Sequence, residues 1–261
     1  MSDQKSRAQA FAALHVKGNP VKLFNVWDAA SAATVERAGA TALATSSFAV
    51  ALVHGAADGE KLPRNILMDA VAEMTGRTTL PVTVDVEAGY GRAPEAVADT
   101  VRAVIAAGGI GINLEDGLIG TDGLFTVEEQ SARIAAARTA ADAAGIPLFI
   151  NARCDVFKKI ARDQQATHVA EALTRAKAYA NAGASGFFVP WQVTPELISD
   201  ICEATSLPVN ILASPAAPSA ADLAKCGVAR ISLGAWPVFD MLARLEATAK
   251  DYFTTGIAKS G

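Results

Sequence analysis

Three cysteines, three histidines, three tryptophans and three tyrosines are all that this 261-residue chain carries of those types. Cys154, Cys202 and Cys226 are spaced for neither a zinc site nor a disulfide framework, so they read as reduced core thiols of a cytoplasmic protein. An excess of charge of either sign is lacking too. The net charge is −4 with no block of like charges, which argues against nucleic acid as a partner. No apolar run is long enough to span a membrane, and the opening Met-Ser-Asp-Gln-Lys-Ser-Arg lacks the apolar core of a signal peptide. No Gly-x-Gly-x-x-Gly follows the first strand, which weakens any dinucleotide-binding reading.

What the chain does have is rhythm. Short Val/Ile/Leu/Phe runs at 23–27, 41–46, 81–87, 109–115, 148–153, 186–190, 208–212 and 230–234 alternate with Ala-rich helical stretches, among them 93–107, 127–144, 167–182 and 194–205. Gly39, Gly108, Gly145 and Gly183 close helices just before strands, and Thr126 and Thr194 are candidate N-caps. Strands apolar on both faces, alternating with helices, make a parallel sheet covered by helices. Eight such units predict a single α/β domain over 1–261, a (β/α)8 TIM-type barrel, with a C-terminal helical segment at about 236–261. A doubly wound open sheet is the rival. The longest irregular stretch, 50–64, is a candidate lid or binding loop.

The polar residues gather where such a barrel keeps its chemistry, at the C-terminal strand ends. Asp85 and Glu87, spaced i and i+2, are expected on one face of the third strand. Glu115 and Asp116 end the fourth strand, and Arg153 and Asp155 the fifth. Carboxylates closing a buried strand are costly unless paired, and oxygen ligands suit a hard cation such as Mg²⁺. A guanidinium beside them could clamp a carboxylate or phosphoryl group. Trp27 and Trp191 could wall the pocket, and Asn210 could orient a ligand or tie a loop. His54 beside the lid and Asp122 are minor candidates for proton transfer.

Seven runs together resemble the isocitrate lyase/phosphoenolpyruvate mutase superfamily across nearly the whole chain. They are Asn25-Val-Trp-Asp-Ala-Ala-Ser-Ala32, Ala44-Thr-Ser-Ser47, Asp58-Gly-Glu60, Asp85-Val-Glu-Ala-Gly-Tyr-Gly91, Asn113-Leu-Glu-Asp116, Asn151-Ala-Arg-Cys-Asp155 and Pro208-Val-Asn210. The resemblance implies an enzyme of lyase type on a (β/α)8 barrel, with its last helix exchanged between subunits of a homo-oligomer, a dimer or tetramer. It implies Mg²⁺, with Mn²⁺ as the alternative, and a small 2-oxo acid or dicarboxylate handled through its enolate. Asp85 would touch the metal directly, and Asp58, Glu87 and Glu115 would hold its waters. Arg153 would bind the far carboxylate or phosphoryl end, while Ser46, Ser47 and Phe48 would offer backbone N–H groups. Arg153, Glu115 and Asp58 are accordingly the expected catalytic residues.

Three positions depart from that pattern. The loop after the fourth strand, 117–123, has no Cys, His or Lys where the lyases carry Lys-(Lys/Arg)-Cys-Gly-His. Pro190 stands where the mutases have His, and Glu87 replaces the usual Asp. The reading that follows is C–C cleavage or decarboxylation, with P–C bond chemistry as an alternative. A catalytically inactive 2-oxo acid-binding protein is a further alternative.

Overall fold

The computed structural model describes residues 2–191, 193–215 and 217–256. Its strands are β1 Val21–Val26, β2 Leu43–Thr45, β3 Val82–Asp85, β4 Gly111–Glu115, β5 Phe149–Arg153, β6 Gly186–Val189, β7 Val209–Leu212 and β8 Arg230–Ser232. Each pairs in parallel with the next, and β8 pairs with β1, so the eight close into a barrel. The TIM-type architecture expected from the strand rhythm is the one found.

The helices are α1 Ser2–Ala13, α2 Ala29–Arg37, α3 Ser47–Val53, α4 Arg64–Arg77, α5 Pro94–Ala106, α6 Val127–Ala143, α7 Val169–Asn181, α8 Pro195–Ala204, α9 Ala220–Lys225 and α10 Trp236–Thr255. Their ends follow local chemistry. Thr126 caps α6 in a reciprocal box with Glu129, and Thr194 caps α8 by accepting the N–H of Leu197. Gly108 leaves α5 at φ +87°, where a Cβ would also come within 2.8 Å of Thr75 Oγ1.

The core has two parts. The larger lies between the outer face of the barrel and the surrounding helices. The smaller fills the lower barrel interior, where Ala8 and Phe11 of α1 pack with Val21, Leu23, Ala42, Ala44, Ile110, Ile146 and Phe149. Burying Phe11 completely in this plug contributes about 2–3 kcal/mol. With the lower end plugged, the acidic and basic strand ends, Asp85, Glu115 and Arg153, lie at the other end, at the carboxyl termini of the strands.

Three expectations need correction. Residues 50–53 are not irregular: they finish α3, which Ser46 starts by accepting the N–H of Ala49. Residues 167–182 do not form one helix, because a 3₁₀ turn at Arg162–His168 precedes α7. Asp85 and Glu87 do not share a strand face. β3 stops at Asp85, and Glu87 sits in the following turn with φ +51°, a left-handed conformation rare for a side chain of its size.

After β8 only the first turn of α10 packs against the barrel, through Pro237 and Val238. Val238 is buried, but residues 239–248 of α10 are exposed, including Phe239, Leu242 and Leu245. The wall it leaves bare is an apolar groove of about 840 Å³ over β1 and β8, between α2 and α9, lined by Phe24, Val35, Leu223 and Ile231 among others. Residues 257–261, within the expected C-terminal helical segment, lie outside the described residues.

Candidate active site

The ends of β2, β3, β4 and β5, with the 54–63 loop and the turn after β3, bring the polar residues together. Asp85, the last residue of β3, accepts both the hydroxyl (2.8 Å) and the backbone N–H (3.2 Å) of Ser47 on Oδ2. The Ser47 N–H is therefore already committed to Asp85. The same hydroxyl lies 3.5 Å from Asp58 Oδ1, which brings the 54–63 loop to the cluster. Ser46 is buried as the cap of α3, and Phe48 packs edge-on against Phe239 of α10 with ring centroids 5.2 Å apart.

Glu87 explains how that loop is held. Its Oε2 accepts the N–H groups of Gly59 (2.8 Å) and Glu60 (2.9 Å), and Glu60 in turn accepts the N–H of Tyr90 at 2.7 Å. Glu60, Glu87 and Tyr90 all have positive φ, so three strained residues form one reciprocal clasp between loop and turn. An Asp at 87, one methylene shorter, would have to reach these donors from a shifted backbone. Arg133 locks the turn from behind by donating to the carbonyls of Gly91, Arg92 and Ala88, with Phe125 stacked beneath its guanidinium at 3.9 Å.

On the opposite side, Arg153 is gripped by two carboxylates. Asp155 accepts from Nε at 2.8 Å and Nη2 at 3.0 Å, and Glu115 Oε2 lies 2.7 Å from Nη1. Asp155 is itself fixed. Trp191 Nε1 donates to it at 3.1 Å, and its backbone N–H donates to Asp116 Oδ1 at 2.8 Å. Asp116, fully buried, takes Tyr179 Oη at 2.7 Å and Arg175 Nη1 at 3.2 Å on its other oxygen. Asp116 thus belongs to the support of Arg153.

The charges crowd. Burial, then Asp58 and Asp85, push the Glu87 carboxyl up to about 8. Burial, then Asp85, also raises Asp58. Glu115 is driven upward by burial against the pull of Arg153. Burial works against the Arg153 cation, but Glu115 and then Asp155 outweigh it and keep it firmly charged. A set of carboxylates whose ionisation is mutually opposed fits a divalent cation, which relieves that opposition. Among the described residues, no group of three or more His, Cys, Asp or Glu side chains is arranged to grip a metal directly. The carboxylates that could stand around such an ion are Asp85, Asp58, Glu87 and Glu115, and Glu87 Oε1 has no protein partner among the described residues.

Other expected positions are placed differently. Trp27 is buried in the outer core and its backbone N–H donates to Ser31 Oγ. Asn210 is fully buried and shares weak 3.4 Å bonds with the Ser232 hydroxyl, tying β7 to β8. His54 is exposed and bonds Val50 O, while Asp122 is exposed and pairs with Lys159 at 2.8 Å. Gly117 passes so close over the acids that a Cβ there would lie 3.0 Å from Asp155 Oδ2. The cysteines are free thiols.

Comparison with known proteins bears on this architecture. The profile of the phosphoenolpyruvate phosphomutase family matches residues 11–253. The chain belongs to that family. It is 32% identical over 206 residues to 2-methylisocitrate lyase of Escherichia coli, covering 75% of this chain and 64% of that enzyme. It is 30% identical over 210 residues to an oxaloacetate decarboxylase of Rhodopseudomonas palustris, covering 74% of this chain and 69% of that one. A provisionally assigned phosphonomutase from Burkholderia cenocepacia J2315 superposes with a TM-score of 0.92 at 47% identity, over 95% of this chain and 99% of the other. The chain is thus an enzyme of lyase type in the isocitrate lyase/phosphoenolpyruvate mutase superfamily.

Proposed function

We propose that this enzyme uses Mg²⁺, or Mn²⁺ in its place, to cleave a C–C bond in a small 2-oxo acid or 2-hydroxy dicarboxylate, most simply by decarboxylating an oxaloacetate-like acid. One observation carries the reading: at the strand ends of a plugged barrel, the Arg153 guanidinium is gripped by Glu115 and Asp155 beside the carboxylate cluster of Asp58, Asp85 and Glu87. Asp85 would hold the ion, with Asp58, Glu87 and Glu115 around it. When bound, the divalent ion supplies positive charge to the oxo oxygen on which negative charge develops. Arg153 binds the distal carboxylate, and its fixed fork orients the substrate. The Phe48 N–H, in the first turn of α3 and without an intrahelical acceptor, is available to the oxo-acid carboxylate. The 54–63 loop, pinned through Glu87 and lying against the Ser47 hydroxyl, would cover a bound substrate and limit water.

Decarboxylation suits the departures in this chain. The carboxyl carbon leaves as CO₂ and its bonding pair stays on the remaining carbon, so no base is required to start the reaction. The loop at 117–123 offers no Cys, His or Lys, and its one acid, Asp122, points to Lys159. The P–C alternative finds support in the Burkholderia neighbour, and the stripped loop would also suit a protein that only binds 2-oxo acids.

We also propose that the enzyme is a homo-oligomer in which α10 of one copy occupies the bare groove of another. The exposed apolar residues of α10 and the uncovered wall over β1 and β8 support this. Assays on oxaloacetate, 2-methylisocitrate, phosphonopyruvate and phosphoenolpyruvate, each with Mg²⁺ and with EDTA, test the chemistry. Mg²⁺-dependent CO₂ release from oxaloacetate is expected. No metal-dependent turnover or binding of any of the four would overturn the reading.

A further inference from the structure

Beneath the carboxylates the barrel holds a second guanidinium, and this one has no carboxylate partner among the described residues. Arg230 on β8 is fully buried. One bond is made, from Nη2 to Asn113 Oδ1 at 3.2 Å, while Nε and Nη1 are buried without partners. Burial pulls the cation down to about 9, and the charge of Asp85 opposes that fall. Apart from Asn113, the guanidinium has the Phe11 ring 5.9 Å from its Cζ, and a buried charge so lightly paired is costly.

Its effect on Asn113 is specific. A guanidinium has donors and no acceptor, so the Asn113 atom facing it has to be the carbonyl oxygen. Asn151 lies 2.9 Å from that same oxygen, so it must present its NH₂ group. Two donors from β5 and β8 converge on Oδ1, and the amide cannot flip without setting NH₂ against both. The cost shows one residue further on. Asn151 Oδ1 is buried without a partner, beside Gly186, whose missing Cβ would meet it at 2.8 Å.

With Oδ1 held below, Asn113 Nδ2 takes the other direction in the amide plane. Asn113 is level with Asp85 in the β3–β4 register and two residues before Glu115. It is 7% exposed where Asn151 and Arg230 are 1% and 0%, so among these three it is the one a ligand could reach.

We propose that Asn113 is a ligand-contacting donor at the floor of the pocket, and that Arg230 is the positioning residue that fixes its direction. The pair would select ligands that turn an acceptor oxygen toward the floor, as a 2-oxo acid or oxalate does. This rests on reading the pocket as a 2-oxo acid site.

Calorimetric titration of oxalate in Mg²⁺, with a thermal melt for each protein, tests it on Asn113→Asp, Asn113→Leu and Arg230→Met. Asn113→Asp lacks the donor but gives Arg230 a counter-charge, so its melting temperature holds or rises. Asn113→Leu lacks the donor and adds no charge. Both are expected to weaken oxalate binding roughly tenfold or more, the weight of a hydrogen bond to a charged acceptor. Arg230→Met, which frees the amide to turn, should weaken it about fivefold. A folded Asn113 variant that binds oxalate within about twofold of wild type overturns the contact, and the same result for Arg230→Met overturns its positioning role. Should Arg230→Met not fold, the two Asn113 variants decide. Wild-type protein that takes up no oxalate sinks the reading of the pocket and this inference with it. Wild-type binding with unaffected variants sinks the inference alone.

Discussion

Asp155 holds Arg153 by two parallel bonds, 2.8 Å to Nε and 3.0 Å to Nη2, from a position with no solvent access to its own carboxylate. The guanidinium is left with little freedom before any ligand arrives. Such pre-positioning lowers the ordering cost of binding an anionic substrate.

Asp155→Asn keeps the shape but sets an NH₂ group against a guanidinium N–H. Losing one charge-assisted bond costs about 1.5–3 kcal/mol. We expect kcat/KM on the best substrate of the panel to fall by about tenfold to a hundredfold, with most of the loss in KM, because Arg153 meets substrate before the bond breaks. Steady-state kinetics decides this, and a variant with wild-type KM would show that Asp155 is not needed to aim Arg153.

The Glu87 carboxyl, raised to about 8 from an ordinary 4.5, makes stability without metal depend on pH. Between those values the folded protein holds a proton that the unfolded chain has lost. Stability should therefore fall as pH rises through the window, by about 1–3 kcal/mol after allowance for solvent at the mouth. Glu87→Gln keeps the acceptor for Gly59 and Glu60 and removes the titration. Urea unfolding in EDTA from pH 5 to 9 should give a falling profile for wild type and a flatter one for the variant. Equal slopes would place the proton elsewhere.

Much of this was readable in the residues, and the failures have physical causes. The eight strands were legible because β-branched runs start at Pro or follow a helix-ending Gly. The acidic strand ends were legible because charge at the end of a buried run is rare. The α1 plug was not, since within it only Ala8 and Phe11 are fully buried, too few for a periodic pattern. The placement of Glu87 was misread because nothing in a Glu announces positive φ; the Gly-rich turn after it was the available hint. Arg230 and Asn113, 117 residues apart, meet only once the barrel closes.

At the plugged end the pH dependence has the opposite sign. His15 stacks on Phe149 with ring centroids 4.0 Å apart, and its Nδ1 lies 2.9 Å from Phe11 O. Burial, then the charge of Arg230, pulls its pKa from 6.5 down to about 3. Between these values the unfolded chain binds the extra proton, so this contribution is present above pH 6.5 and is lost on acidification toward 3. About 1–3 kcal/mol should disappear across the window. His15→Phe keeps an aromatic ring on Phe149 and cannot titrate. Its unfolding midpoint should drop less than that of wild type between pH 6.5 and 4, and an identical drop would remove His15 as the source.

The last prediction concerns α10. Leu245 is 62% exposed in the middle of that helix and touches no core cluster, so Leu245→Asp should change the stability of an isolated barrel by less than about 0.5 kcal/mol. In an assembly that seats α10 in a neighbour's groove, the same carboxylate would be forced into an apolar wall lined by Phe24 and Leu223. Burial of an unpaired charge there would outweigh the gain from the remaining apolar contacts. Light scattering at micromolar concentration should find the wild type as a dimer or tetramer and Leu245→Asp shifted toward monomer. Because Phe239 of the same helix packs on Phe48 beside the mouth, we expect the shifted form to bind oxalate more weakly as well. A monomeric wild type would instead leave α10 and the groove to another partner.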